Sequence, residues 1–393
     1  MHLVKKLLLL TTCYLLLATT SRAQDSSHIR ISLLTCSPGE EIYSTFGHSA
    51  LRVTDSIGKA DIVFNYGTFN FDDPNFYMKF IRGKLLYYVS VEDFEGPDGF
   101  EADYKNDNRG ITEQVLNLSP AEKIAIEGAL YDNLREENKY YKYDFFFDNC
   151  TTRLRDLIVR YKHPTPVLKG AMPQGTRFRQ AIHEYLDSAH QYWSELFIDV
   201  CLGVHTDAVM TPQQSMFLPD NLMKSLAKQP GLILSTNNLF PTTTEDDSYS
   251  AFTPTVVFSL LFGFILVVGF YKNKVTNTFL RIFDGLLFFV TGLLGCMLLF
   301  MWFGTDHVLC KDNYNLLWAL PTNLAVASFG IYRRKWMKVY FGFLAIGLTA
   351  LLGAWFFLPE AMNNALIPIV LLLICRSIYK FFEPAKPHTL AHR

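Results

Sequence analysis

Apolar residues are distributed along this chain in two different ways. Up to Ser250 they come in short runs broken by charges, and from Phe252 onward they gather into long stretches with few charges. In the first half the runs alternate between strand-like and helix-like spacing. Ile29–Thr35 has strand composition and meets a turn signal at Ser37-Pro38-Gly39-Glu40. Phe46–Thr54 and Asp61–Tyr66 read as two strands joined by a turn at Asp55–Lys59, which makes a hairpin. Asp73–Gly83 predicts a short helix, and Leu85–Val89 resumes strand character. Ser119–Asn138 predicts a helix whose first turn pairs Ser119 with Glu122 in a capping box. Tyr140–Phe147 is strongly aromatic, as cores and doubly packed strands are; an acyl-chain slot would use the same residues. After Asp148-Asn149, the run from Cys150 to Arg160 returns to helical spacing, and the Thr- and Asp-rich run Ser235–Ser250 predicts a linker.

The second half contains five apolar segments: Phe252–Tyr271, Phe279–Phe303, Leu316–Ile331, Val339–Leu358 and Ala365–Phe381. Each is about long enough to cross a bilayer as a helix, the third marginally, since a span takes about 20 residues. Positive charge tests their direction. Lys272, Lys274 and Arg281 flank the first connection, Arg333, Arg334, Lys335 and Lys338 crowd the third, and Arg376, Lys380, Lys386 and Arg393 mark the end. The second connection carries Lys311 alone and Pro359–Asn364 carries no cation. By the positive-inside rule the soluble half lies outside the cytoplasm and the C-terminus inside. Asp306, His307, Asn313, Asn315 and Trp318 then fall on the outer side, as a polar loop with an interfacial Trp or as a rim for a lipid headgroup. Asp284, near Arg281, is read as locally neutralised and carries no role.

The N-terminus agrees independently. Lys5 and Lys6, the apolar run Leu7–Ala18 and Ser21-Arg22-Ala23 have the order of an export signal. The expected layout is therefore a signal peptide over 1–23, an exported domain over 24–234, a linker over 235–250, a membrane domain over 251–382 and a cytoplasmic tail over 383–393, in the bacterial inner membrane. A net charge of -1 excludes a nucleic-acid partner as the main theme. The exported part carries Cys36, Cys150 and Cys201, an odd set, in which Cys36–Cys201 is the disulfide that leaves Cys150 free.

Chemistry is concentrated at two places. Asp148 or Asn149 suits the cap of the helix that Cys150 opens, where free N–H groups and the helix dipole favour a thiolate. His48, in Phe46-Gly47-His48-Ser49, sits on a strand. A Cys at a helix start facing a His on a strand is the arrangement of papain-like thiol enzymes, here with the His first in the chain and so permuted. The hairpin brings Asn65 near His48 as the residue that orients the ring, and a slip of one residue would bring Tyr66 instead. His183, His190, His205 and Asp207 lack the spacing of a metal motif and read as structural, so no metal or other cofactor is implied.

Four stretches also carry a resemblance: Leu34–Gly39, Phe46–Val53, Phe64–Phe69 and Phe147–Arg153, with Thr305-Asp306-His307 and Asn315–Trp318 in the membrane half. In this order they resemble the Lnb family of Bacteroidota membrane proteins, which includes the Bacteroides lipoprotein N-acyltransferase. The exported domain is also similar to permuted NlpC-type thiol enzymes, the group of lecithin:retinol acyltransferase, where acyltransferases often carry a second His at the position of Asn65. The resemblance implies an α+β, permuted papain-like domain followed by an all-α domain of five transmembrane helices. It implies Cys150, His48 and Asn65 as catalytic residues, with Asn149, Tyr66, Asp306 and His307 as possible supporting residues. The implied reaction moves an acyl chain from a phospholipid, through a Cys150 thioester, to the α-amine of a diacylglyceryl-cysteine lipoprotein in the bilayer. Other functions fit the same residues: a phospholipase or thioesterase with water as acceptor, a cell-wall peptidase or amidase, or a non-catalytic membrane receptor or assembly protein.

Overall fold

A computed structural model describes residues 28–242, 251–329 and 335–383. The expected signal peptide, the second half of the expected linker (243–250) and most of the C-terminal tail lie outside the described residues. In chain order the first half runs β1 (Ile29–Cys36), β2 (His48–Asp55), β3 (Ala60–Thr68), α1 (Phe76–Ile81), β4 (Leu86–Asp93), α2 (Phe100–Asn106), β5 (Ile111–Leu116), α3 (Pro120–Asn133), α4 (Glu136–Lys139), β6 (Tyr140–Lys142), α5 (Cys150–Tyr161), α6 (Phe178–Ser188), α7 (Tyr192–Cys201), α8 (Pro219–Ala227) and β7 (Ile233–Phe240). The strands form one antiparallel sheet in the order β6-β4-β3-β2-β1-β5-β7.

The alternation of side chains along each strand divides the core into two layers. Ile31, Leu33, Leu51, Val53 and Phe64 face α3, α5 and α8, which contribute Ile126, Leu130, Leu154, Ile158, Leu222 and Leu226. Leu34, Ala50 and Val63 face the other way, onto Phe100 and Tyr104 of α2. The strand and helix expectations for residues 29–133 hold to within a few residues, including the capping box of Ser119 and Glu122.

Three expectations are corrected. The linker does not begin at Ser235, because Ile233–Phe240 pairs with β5 as the edge strand of the sheet. That segment reads as linker in isolation because Leu234–Asn238 is mostly polar and exposed on both faces, with only the edge pairing to β5 making it a strand. The Cys36–Cys201 disulfide is absent: both thiols are free and buried. Cys36 ends β1 in the layer beneath α2, whereas Cys201 ends α7 beside Cys310. Trp318 is no interfacial anchor; it is 2 % exposed, and its Nε1 donates to Asn315 Oδ1 at 2.9 Å.

The second half holds α9 (Pro254–Phe270), α10 (Lys274–Gly304), α11 (Thr322–Phe329), α12 (Lys335–Ala354) and α13 (Ile367–Phe382). Among the described residues three segments are long and apolar enough to cross a membrane: Lys274–Gly304, Trp336–Phe357 and Asn364–Phe382. Pro254–Phe270 is a shorter apolar helix. The third apolar segment does not start as a membrane helix, because Tyr314–Leu317 is a 3-10 turn and α11 begins only at Thr322. Asp284 is buried against Arg376 (2.5 Å) and Lys380 (2.8 Å) of α13, which supply its local neutralisation.

The two halves dock through buried polar contacts. Asn313 Nδ2 donates to Val200 O (2.8 Å), and Asn363 Nδ2 donates to Asp199 Oδ2 (2.9 Å). Asp199 also accepts from Arg179 Nη1 (2.8 Å), and Arg179 pairs with Asp207 (3.1 Å). Glu360 takes Asn315 Nδ2 at 2.9 Å and the Tyr314 N–H at 2.7 Å.

Candidate active site

Local chain geometry places His48 and Cys150 before any chemistry is considered. Gly47 turns the chain into β2 with φ +74°, and a Cβ there would stand 2.7 Å from Cys36 O, so both conformation and space call for glycine. Asn149 caps α5: its Oδ1 accepts from the Thr152 N–H (2.8 Å), while Thr152 Oγ1 accepts from the Asn149 N–H (2.8 Å). The Asn149 amide also donates to Phe145 O (2.7 Å) and Phe217 O (2.9 Å), which locks the helix start into the core. Asp148, the other candidate cap, instead holds Arg153 through two bonds of 2.6 and 2.8 Å. The cap position is thus decided and Cys150 is the first residue of the helix.

His48 Nε2 lies 2.7 Å from Asn65 Oδ1. The hairpin pairs Leu51 with Phe64, so Asn65 meets His48 across a diagonal of the same face. Asn65 is held in turn, its Nδ2 donating to Glu92 Oε1 at 3.0 Å from β4. The amide therefore presents its oxygen to the ring, Nε2 carries the proton, and Nδ1 is left for the sulfur. Tyr66 does not reach the ring of His48: it faces the layer that also holds Cys150, borders the cavity at Cys150, and its hydroxyl accepts from Asn133 Nδ2 (2.7 Å). Glu92 could not be singled out from sequence. It follows the His48 motif without any local signature, and only the pairing of Val63 with Glu92 brings it to Asn65.

The electrostatics separate Cys150 from its relatives. Burial pushes its thiol up, but the charge of His48 and a hydrogen bond to it, with help from the Ser49 N–H and the Thr151 hydroxyl, bring it down to about 7. Burial disfavours a charged His48, yet the Cys150 charge and hydrogen bond, with Asn65, raise it overall. Cys36, Cys201 and Cys310 are all pushed up to about 12, first of all by burial. Ser49 is itself fixed, as Thr151 Oγ1 donates to its hydroxyl at 3.1 Å. Such a thiol–imidazole pair can deliver a nucleophile and move a proton near neutral pH.

Cys150 and His48 open on a cavity of about 290 Å³ whose walls include Phe46, Phe69, Tyr87, Tyr143 and Phe145. The aromatic run is divided: Phe146 packs in the core, while Tyr143 and Phe145 line the cavity. Gly67, in a bulge of β3 with φ +94°, leaves the approach to the sulfur clear; a Cβ there would lie 3.8 Å from the Cys150 Cβ. Asp306 and His307 do not line this cavity. Asp306 binds Lys142 (3.0 Å), and His307 Nε2 lies 3.3 Å from Phe80 O, so both hold the soluble half against the end of α10.

His183, Glu195 and Asp199 bring three metal-type donor atoms within 4.8 Å of one another. Only His183 of these stood out in the sequence. Asp199 is already engaged by His183 (2.9 Å), Arg179 and Asn363, and the nearby guanidinium disfavours a cation there. His205 pairs with Asp312 (2.7 Å).

Two family models match the chain. Residues 18–177 match the Lnb N-terminal periplasmic domain, and residues 245–386 match the Lnb transmembrane domain. No curated protein and no solved structure matches it.

Proposed function

Since the chain belongs to the Lnb family, with a periplasmic N-terminal domain and a transmembrane domain of the inner membrane, we propose that it is an enzyme of lipoprotein biogenesis, a lipoprotein N-acyltransferase with Cys150 as nucleophile. One observation carries this reading: a buried thiol at a helix start, drawn down to about 7 by a His that an Asn orients, opening on an aromatic cavity. We read the sheet and its helices as a permuted papain-like domain, with five membrane crossings and a cytoplasmic C-terminus.

In the first half-reaction the Cys150 thiolate attacks the ester carbonyl carbon of a phospholipid acyl chain. The carbonyl oxygen becomes an oxyanion, for which the N–H groups of Cys150 and Thr151 in the first turn of α5 are the nearest donors by position. The ester C–O bond breaks, and the leaving alkoxide takes the proton from His48 Nδ1. The products are a lysophospholipid and an acyl-thioester on Cys150. In the second half-reaction the α-amine of a diacylglyceryl-cysteine lipoprotein attacks the thioester carbonyl, His48 takes the amine proton, and the C–S bond breaks to regenerate the thiolate. Asn65 keeps the ring in the tautomer this cycle needs, and Glu92 keeps Asn65 facing it.

The test is intact-protein mass spectrometry after incubation with phospholipid. Wild type gains one fatty-acyl mass that neutral hydroxylamine removes, and Cys150→Ala gains none. Adding a synthetic diacylglyceryl-cysteine peptide discharges the adduct into an N-acyl peptide. Discharge to free fatty acid alone would assign the enzyme as a lipase, and a wild type without adduct would overturn the thioester.

A further inference from the structure

Helix α1 exposes apolar side chains of a kind that a soluble surface does not collect. Tyr77, Met78, Phe80 and Ile81, four of its six residues, are between 48 % and 76 % exposed, and Phe71 in the preceding turn is 69 % exposed. A contiguous patch of this kind marks an interaction surface. Its position identifies the partner. The Asp306 N–H donates to Arg82 O (2.9 Å), His307 Nε2 lies against Phe80 O, and a Cβ on Gly83 would stand 3.2 Å from the His307 ring. The segment is thereby tied to the end of α10. One face of that helix stays apolar and exposed up to Phe303, through Leu299, Phe300 and Phe303, with half-buried Trp302 stacked on Phe303 at 5.1 Å, an aromatic pair of the sort that marks a bilayer surface. Asp306 is the first charged residue beyond it. The exposed face of α1 thus lies at the level where headgroups give way to acyl chains, and the exposed cations Arg82 and Lys84 follow it at the level of the phosphates.

The same segment leads inward. Phe76 contacts Phe69 (ring centroids 5.7 Å), Phe69 contacts Tyr87 (5.3 Å) and Tyr87 stacks on Tyr143 (4.5 Å). Phe69, Tyr87 and Tyr143 are walls of the Cys150 cavity. We propose that residues 69–84 form a membrane-dipping entry element, which inserts α1 into the outer leaflet and guides a phospholipid acyl chain along this aromatic path to Cys150. An acyl chain that follows the path leaves the bilayer without crossing water. The acyl chain as cargo rests on the acyltransferase reading; the insertion of α1 does not.

Two measurements on the full-length protein in lipid nanodiscs test it. In Met78→Trp, the emission added over wild type is quenched by phosphatidylcholine brominated on its acyl chains and is protected from aqueous iodide. Quenching by iodide with no effect of the brominated lipid overturns the insertion. In Tyr77→Ser/Phe80→Ser, acylation of Cys150 from bilayer phospholipid slows by about tenfold or more, as expected when apolar docking surface is removed, while alkylation of Cys150 by iodoacetamide stays at the wild-type rate. Unchanged acylation, or an equal loss of alkylation, overturns the entry role. A wild type that never forms the acyl adduct sinks the acyltransferase reading instead, and leaves the quenching result to decide insertion.

Discussion

At the scale of the residue, Cys150 owes its character to neighbours more than to its own burial. Burial, the first cause in each, takes Cys36, Cys201 and Cys310 in the opposite direction, up to about 12, which keeps them protonated at neutral pH. The sign of the pH dependence follows. Below about 7 the Cys150 thiol holds its proton and the nucleophile is lost; above it the thiolate is present. Iodoacetamide alkylation of Cys150 should therefore rise with pH through a midpoint near 7. In His48→Gln the charge and hydrogen bond that oppose burial are gone, so the midpoint should move above the ordinary thiol value of about 8.5. The same variant should lose about 10²–10⁴-fold in acyl transfer, the usual worth of a general base. Asn65→Ala should slow acyl transfer less than His48→Gln, because it frees the ring without removing it; steady-state rates on one lipid substrate would rank the two. Cys150 and His48 stood out in the sequence because each lies in a local motif. Asn65 could be placed by extending the hairpin register, whereas Glu92 could not, because its partner is on a third strand.

At the scale of the element, the start of α5 is both a cap and a core contact. The Asn149 side chain accepts from Thr152 and donates to two buried carbonyls. Asn149→Ala removes a cap worth about 1 kcal/mol and leaves the carbonyls of Phe145 and Phe217 short of a donor, at about 1–3 kcal/mol more. The expected outcome is a clearly lower melting temperature and a thiol at Cys150 that drifts back towards ordinary reactivity, read by thermal unfolding and by alkylation. The cap was legible, since Asn before a helical run is a local signal. The edge strand Ile233–Phe240 was not, because its eight residues look like a linker until β5 is beside them.

At the scale of the whole molecule, Arg179 and Asp199 join the two halves. Arg179 is 2 % exposed and touches Asp199 and Asp207, and Asp199 also takes Asn363 from the membrane half. Arg179→Met leaves two carboxylates buried without their cation, which costs about 3–5 kcal/mol. Thermal unfolding in detergent should show the loss. Exposed Asp306 and Lys142 pair across the same junction, but in water such a pair contributes little, and Lys142→Ala should leave stability nearly unchanged.

What the sequence determined by itself was whatever local rules can carry. Hydropathy alone separates a soluble half from an apolar one, period-two runs draw the β1–β3 strands, and cap chemistry puts Cys150 at a helix start. Tertiary structure decided everything that depends on partners far away in the chain. It brought Glu92 behind Asn65, kept Cys36 and Cys201 apart and buried Trp318 beneath Asn315. It also hung α1 from the end of α10. Those contacts are set by which faces of sheet and helix must be covered, and a linear pattern of apolar residues names the faces without naming what covers them.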